Sequence, residues 1–142
     1  MDVTIKQFLS ADHRACDDLF AILEADFEIA KARYAELENA FERHFKMEEE
    51  VFFPIFEEKT GMSGGPTQIM RMEHAQMRGL LSQMKEAVAA NDADKFASAA
   101  ETFLFLVQQH NSKEEQILYS MADRVFGPEA SELIAQMEKV EA

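Results

Sequence analysis

The pattern that most restricts this chain is a histidine followed at +4 and +5 by glutamates and at +7, +8 and +9 by apolar residues, because it occurs twice. The first copy runs from His44 to Pro54 (HFKMEEEVFFP), and the second, 66 residues later, from His110 to Ser120 (HNSKEEQILYS). Residues i and i+4 stack on one helical face. His44 with Glu48, and His110 with Glu114, therefore each present an imidazole nitrogen and a carboxylate to one point in space. Two helices, each carrying half of one centre, are implied.

The rest of the chain supplies the partners for those two helices. Thr4 and Gln7 form a Thr-x-x-Gln capping box, and Leu9, His13, Cys16, Phe20 and Leu23 follow in steps of four and three. This predicts a first helix ending between Glu24 and Asp26. The second, over about residues 28 to 58, turns Leu37, Phe41, His44, Glu48, Val51 and Ile55 inward. Pro54 is expected to kink or loosen its final turn. The stretch Thr60 to Pro66 (TGMSGGP) holds three of the five glycines and separates two halves. A third helix from Thr67 to Ala90 carries Met70, His74, Met77, Leu81, Met84 and Val88 inward, and Asn91-Asp92 makes a turn. The fourth presents Phe96, Ala99, Phe103, Leu106, His110, Glu114, Ile117 and Met121, and Gly127-Pro128 stops it.

A tail with Leu133, Ile134, Met137 and Val140 on one face is expected to cross the end of the bundle. No window alternates with a period of two. The fold class is all-α: an up-down-up-down antiparallel four-helix bundle with a short C-terminal helix, one domain over residues 1–142. The halves resemble copies, since Asp12-His13 and Glu73-His74 each precede a leucine at +6 from the histidine, Leu19 and Leu80.

Charge and cysteine content bound the partners. With 27 acidic and 14 basic residues the net charge is −13, which argues against nucleic acid and anionic membranes. The single cysteine, Cys16, cannot form an internal disulfide, the N-terminus has no signal-peptide pattern, and no apolar run approaches the roughly 20 residues of a membrane span. A cytoplasmic location is the expectation.

All four histidines, His13, His44, His74 and His110, fall on an inward stripe, one per helix. One such residue is ordinarily a core imidazole bonded to a backbone carbonyl; four together are not explained that way. Glu48 and Glu114 strengthen the case, because an ionised carboxylate in a bundle core is costly unless paired or metal-bound, and no Lys or Arg shares their stripes. Imidazole plus carboxylate suits a borderline first-row metal such as iron, with manganese and zinc open by the same chemistry. If each glutamate bridges, four nitrogens and two carboxylates can serve two metals, each with an open position; a single octahedral metal with all six donors is the alternative. The Glu-x-x-His pattern of ferritin-like di-iron bundles is absent, since position −3 of His44, His74 and His110 holds Phe41, Arg71 and Val107.

A lone His on the first helix, His-x-x-x-Glu on the second, a His on the third and His-x-x-x-Glu on the fourth resemble the hemerythrin-like, or HHE cation-binding, family, over His13 to Tyr119. The resemblance implies two iron ions in a non-haem centre, oxo- or hydroxo-bridged, with His13, His44, His74 and His110 as terminal ligands and Glu48 and Glu114 as bridges. It implies small ligands: O2, NO or H2O2. Oxygen-carrying members have a second His where this chain has Arg78, and an Asp where it has Glu115. The set of four His and two Glu is similar to members linked to sensing, storage or scavenging of such ligands. The alternatives are a redox enzyme consuming H2O2 or NO, or a module for iron storage, iron sensing or repair of iron centres.

Among other residues, Cys16, one turn after His13, could approach the site but reads as a buried small hydrophobe; Tyr119 could donate a hydrogen bond or a redox equivalent, but with its counterpart Phe53 reads as core packing; and Met70, Met77 and Met84 read as adaptable filling. Asp12, Glu49, Glu73 and Glu115 adjoin the candidate ligands and could orient imidazoles. Pointing about 100° away from them on a helix, most are expected in solvent.

Overall fold

The computed structural model describes residues 3–142; Met1 and Asp2, where the reading for a leader begins, lie outside the described residues. Helix α1 (Ile5–Ala25) starts with the expected box: Thr4 Oγ1 accepts from the Gln7 N–H at 3.0 Å, and Gln7 Oε1 from the Thr4 N–H at 2.9 Å. Asp26 alone joins α1 to α2 (Phe27–Lys46), and its carboxylate caps α2 by accepting from the Glu28 N–H. One wide π-turn (Met47–Phe52) leads into α3 (Phe53–Thr60), so that α2 and α3 form one long rod. Gly61, at φ +71°, closes the rod in a conformation that favours glycine.

Helix α4 (Pro66–Ala89) turns at Asn91-Asp92 into α5 (Ala93–Lys113), with Asp92 capping Lys95. A second π-turn (Glu114–Leu118) joins α5 to α6 (Tyr119–Phe126), which ends at Gly127. After a 3₁₀ turn, α7 (Ala130–Glu138) packs over the first π-turn and α1, closing one end. Helix α1 pairs with α2, α4 with α5, and the hairpins meet through α2·α4 and α1·α6, which is the expected four-helix arrangement. Among the described residues, no helix is long and apolar enough to cross a membrane.

Both π-turns change the expected stripes. Each begins at or just before the glutamate of a motif, and in each the glutamate carbonyl accepts from the N–H five residues on: Phe53 to Glu48, and Tyr119 to Glu114. The extra residue advances the buried face by one position. Phe52, Phe53 and Phe56 are fully buried where Val51 and Ile55 were expected, and those two are half-buried. Likewise Leu118, Tyr119 and Ala122 are buried, while Ile117 is 58 % exposed and Met121 half-buried. Loosening near Pro54 was foreseen, but the proline is not its cause. The second copy has Ser120 in that place and the same wide turn.

Two apolar clusters fill the bundle. One, around Phe20, Phe41, Leu81 and Phe103, fills the end with the two tight hairpin links. The other, around Ile5, Phe52, Phe53, Leu118 and Met137, lies under α7. Between them all four histidines and both motif glutamates form a buried polar layer.

Candidate metal centre

The six residues singled out from the sequence meet in that layer, each no more than 3 % exposed. Every imidazole has one nitrogen facing inward and one outward. Inward, Glu48 Oε1 lies 3.1 Å from His74 Nε2 and 3.4 Å from His44 Nε2. Glu114 Oε1 lies 3.0 Å from His13 Nε2 and 3.1 Å from His110 Nε2. Each carboxylate therefore faces one imidazole from each hairpin.

Outward, every Nδ1 meets a further carboxylate. His44 Nδ1 lies 2.7 Å from Asp12, His74 Nδ1 2.7 Å from Glu49, His110 Nδ1 2.8 Å from Glu73, and His13 Nδ1 2.7 Å from Glu115. The expectation that most of these four acids are solvated is thus corrected. A residue next to an inward-facing one sits about 100° round the helix. In a four-helix bundle that direction is the seam with the neighbouring helix, so each acid holds the histidine of the next helix and the four links close a ring. The signal was present in the sequence: an acid adjoins a candidate ligand on every helix.

This ring fixes the chemistry of the centre. A carboxylate can only accept, so each Nδ1 carries a proton, and a neutral ring then turns the Nε2 lone pair towards the lone pairs of Glu48 or Glu114. Contacts of 3.0–3.4 Å between such atoms require positive charge between them, from protons or from a metal. His44 Nε2, His110 Nε2 and Glu114 Oε2 are buried without a hydrogen-bond partner, which is costly unless something else binds them. The donors fit a metal. Glu48, His74, His110 and Glu114 each offer an atom within 4.8 Å of the others, as do His13, His44 and Glu114.

With no metal, protons supply the charge. Burial opposes an imidazolium at His44, yet Glu48 and the bond to Asp12 push its pKa up to about 10. At His74 burial is likewise outweighed, by Glu48 and Glu49, and the value is about 9. His13 is raised as well, against burial and His44, by Glu114 and Glu115. Glu48 resists its own burial because His44, Glu114 and His74 hold its carboxyl well below the usual range.

Tyr119 corrects another expectation. Rather than only packing, its fully buried hydroxyl donates to Glu48 Oε2 at 2.7 Å, lies 2.9 Å from Glu114 Oε1, and sits 3.2 Å from His13 Nε2. The π-turn brings it there, so no α-helical periodicity could have placed it. Cys16 keeps its expected role: it is buried, its thiol points to the Ala40 carbonyl at 3.6 Å, and burial pushes its pKa up. It lines, with His13, His44, Phe45, Met77 and Val107, a mostly apolar cavity of about 10 Å³ against the polar layer. Arg78 lies outside the centre; it holds Glu42 and Glu49 and covers the Phe45 ring at 5.1 Å. Its bond to Glu49, with that of His74, overcomes burial and brings the Glu49 pKa down to about 2.

A four-helix bundle with a buried His/Glu layer able to hold cations is a metal-binding protein of the histidine-carboxylate class. The chain belongs to the hemerythrin HHE cation-binding domain family, whose model matches residues 4–122. Neither a curated protein nor a solved structure matches it.

Proposed function

We propose that His13, His44, His74 and His110 are terminal ligands and Glu48 and Glu114 bridges of a di-iron centre that binds or reacts with O2, NO or peroxide. The observation that carries this reading is the sharing of each glutamate between two imidazoles from different hairpins. A carboxylate so placed can join two metals, whereas six donors on one ion would leave none shared. When bound, the pair of irons supplies the one-electron and small-ligand chemistry. The chain's own residues hold the ring tautomers through the four outer acids, exclude bulk water by burial, and border a cavity large enough for about one small molecule.

A cavity of that size admits about one water-sized molecule, which supports only a small ligand such as a diatomic or peroxide and leaves no room for an organic substrate. The protein acts as a sensor, store or scavenger of such a ligand. The test is metal content with an optical spectrum, taken after growth in iron, anaerobic reduction and exposure to air. About two irons per chain with oxo-bridged ferric bands supports the reading. One tightly held zinc, or no metal and no colour, refutes it. Bands that return reversibly indicate binding, and catalytic consumption of H2O2 or NO lost in Glu114→Ala would instead make it an enzyme.

A further inference from the structure

We propose that two copies of the chain pair through the outer face of the α4/α5 hairpin, with Phe105 of each copy seated over Gly79 of the other. On a chain of net charge −13 this face is set apart by having almost no charge. From Gln68 to Gln83 every exposed residue of α4 is uncharged, and from Ala97 to Ser112 every exposed residue of α5 except Glu101. The half-buried Arg71, Glu73 and Arg78 are each paired, with Glu57, Lys113 and Glu42. Large apolar side chains stand on the face instead. Phe105 is 61 % exposed and Met72 59 %, and Ile69 is exposed as well.

The register of the hairpin supplies the fit. Ion pairs Glu73–Lys113 and Lys95–Glu86 tie α4 to α5 at two levels. Gly79 stands six residues after Glu73 and seven before Glu86, and Phe105 eight before Lys113 and ten after Lys95, so the two lie side by side midway between the bridges. Met77, Leu81, Phe103 and Val107, two residues to either side of them, are buried, which turns Gly79 and Phe105 outward. A Cβ on Gly79 would meet nothing within 4 Å, so the glycine leaves an open seat beside an exposed ring. Inside a helix it otherwise only costs stability relative to alanine. A two-fold axis in the interface, parallel to the antiparallel helices, lays α4 of one copy on α5 of the other and keeps their levels. Each residue then meets the other copy's version of its own neighbour across the hairpin: Phe105 meets Gly79, Met72 meets Ser112, and Gln76 meets Gln109. Large side chains face small ones, amides face amides, and each match is used twice.

The charge balance selects a second copy as the occupant. Two chains of net charge −13 repel one another through any acidic face, whereas this face is neutral towards itself. At about 1.5 Å per residue its α4 span is ~24 Å long, and two adjacent helices are roughly 20 Å across. That is roughly 500 Å² in plan, and more with the relief of its side chains, close to the ~600–800 Å² per partner of the smaller specific interfaces. A dimer with a dissociation constant of about micromolar is expected.

The experiment is sedimentation equilibrium of the full chain across the micromolar range. The wild type should pass from the mass of one chain to that of two. In Phe105→Gln the dissociation constant should rise about a hundred-fold or more, since each dimer loses two buried rings. Gly79→Leu should weaken the dimer by filling the seat, although leucine is the better helix former, so the Tm of the dilute monomer should not fall. Both variants should keep the wild-type helical content by circular dichroism. Ile22→Gln, at an exposed position on α1 outside the face, should leave association unchanged. Added salt should tighten the dimer, because it screens the repulsion between the two acidic chains while the uncharged contact is untouched. A wild type that keeps the mass of one chain throughout, a dimer that Phe105→Gln or Gly79→Leu leaves unmoved, or one that salt loosens overturns the proposal.

Discussion

Replacing Glu49 by Gln should weaken metal binding much more than replacing Glu115 by Gln, although both acids do the same thing to a histidine. Glu49 Oε2 accepts from His74 Nδ1 at 2.7 Å and from Arg78 Nη1 at 2.8 Å, while its Oε1 accepts from Arg78 Nη2 at 2.9 Å. All three contacts need an acceptor. An amide has one acceptor end, so in Glu49→Gln an NH2 group must face either the guanidinium or the imidazole N–H. Glu115 holds only His13, at 2.7 Å, and its side chain is 34 % exposed, so a glutamine there can turn its oxygen to His13 and its NH2 to water.

Losing the charge on a hydrogen bond costs about 1 kcal/mol, and opposing two donors adds about 1–2 kcal/mol. The expected loss of affinity is thus roughly 5-fold for Glu115→Gln and roughly 30- to 150-fold for Glu49→Gln, converted at 1.4 kcal/mol per decade. Competition between each metal-free variant and a chromophoric chelator for Co²⁺ measures both. Adding Arg78→Ala to Glu49→Gln should recover part of the loss, because it removes one of the opposed donors. Equal losses in the two single variants would refute the argument that the Arg78 clamp, rather than the negative charge alone, makes Glu49 the more demanding position.

Three further outcomes follow from the same structure. The metal-free protein should lose stability as pH rises: His44 and His74 have folded pKa values of about 10 and 9 against an ordinary 6.5, so their contribution is complete below about pH 6.5 and is lost towards pH 9–10, read as a falling Tm. Stripping the metal with a chelator at pH 7 should lower the Tm, since a ligand at 1,000 times its Kd adds about 4 kcal/mol to stability; an unchanged Tm would contradict the ligand assignment. The π-turn register is tested by Ile117→Lys against Leu118→Lys: Ile117 is 58 % exposed and Leu118 1 %, so the first should shift stability by about 0.5 kcal/mol or less in denaturant melts and the second should prevent folding or cost several kcal/mol.

The contrast between Ile117 and Leu118 also shows where sequence periodicity stops being informative. Steps of three and four place Leu9, His13, Cys16, Phe20 and Leu23 correctly on α1, because that helix is regular from end to end and each step moves close to one turn. The same count fails after Glu48 and Glu114, where a single additional residue per turn rotates everything beyond it. Both segments offer apolar residues at +7, +8 and +9, so either register finds something to bury; the composition alone does not choose. The packing chooses, since the π register buries Phe52, Phe53 and Phe56 together under α7, where the α register would bury Val51 and Ile55. Larger apolar side chains leave water for the cost of one irregular turn.

The six central donors were legible for the opposite reason. The four histidines lie in regular helix and the two glutamates at the start of the π-turns, before the register has shifted, and both residue types are conspicuous on an apolar stripe. The outer acids were legible only as neighbours of the candidate ligands; which histidine each holds, and that Tyr119 reaches the centre, were not, because these contacts depend on how the helices run and rotate about one another. For Tyr119 the dependence is complete: in an uninterrupted α-helix position +5 from Glu114 points away from it, and only the wide turn brings the hydroxyl back to within 2.9 Å of that carboxylate. The π-turns therefore do two things at once. They settle the apolar register of the α7 end, and on one side only they deliver a proton donor into the centre.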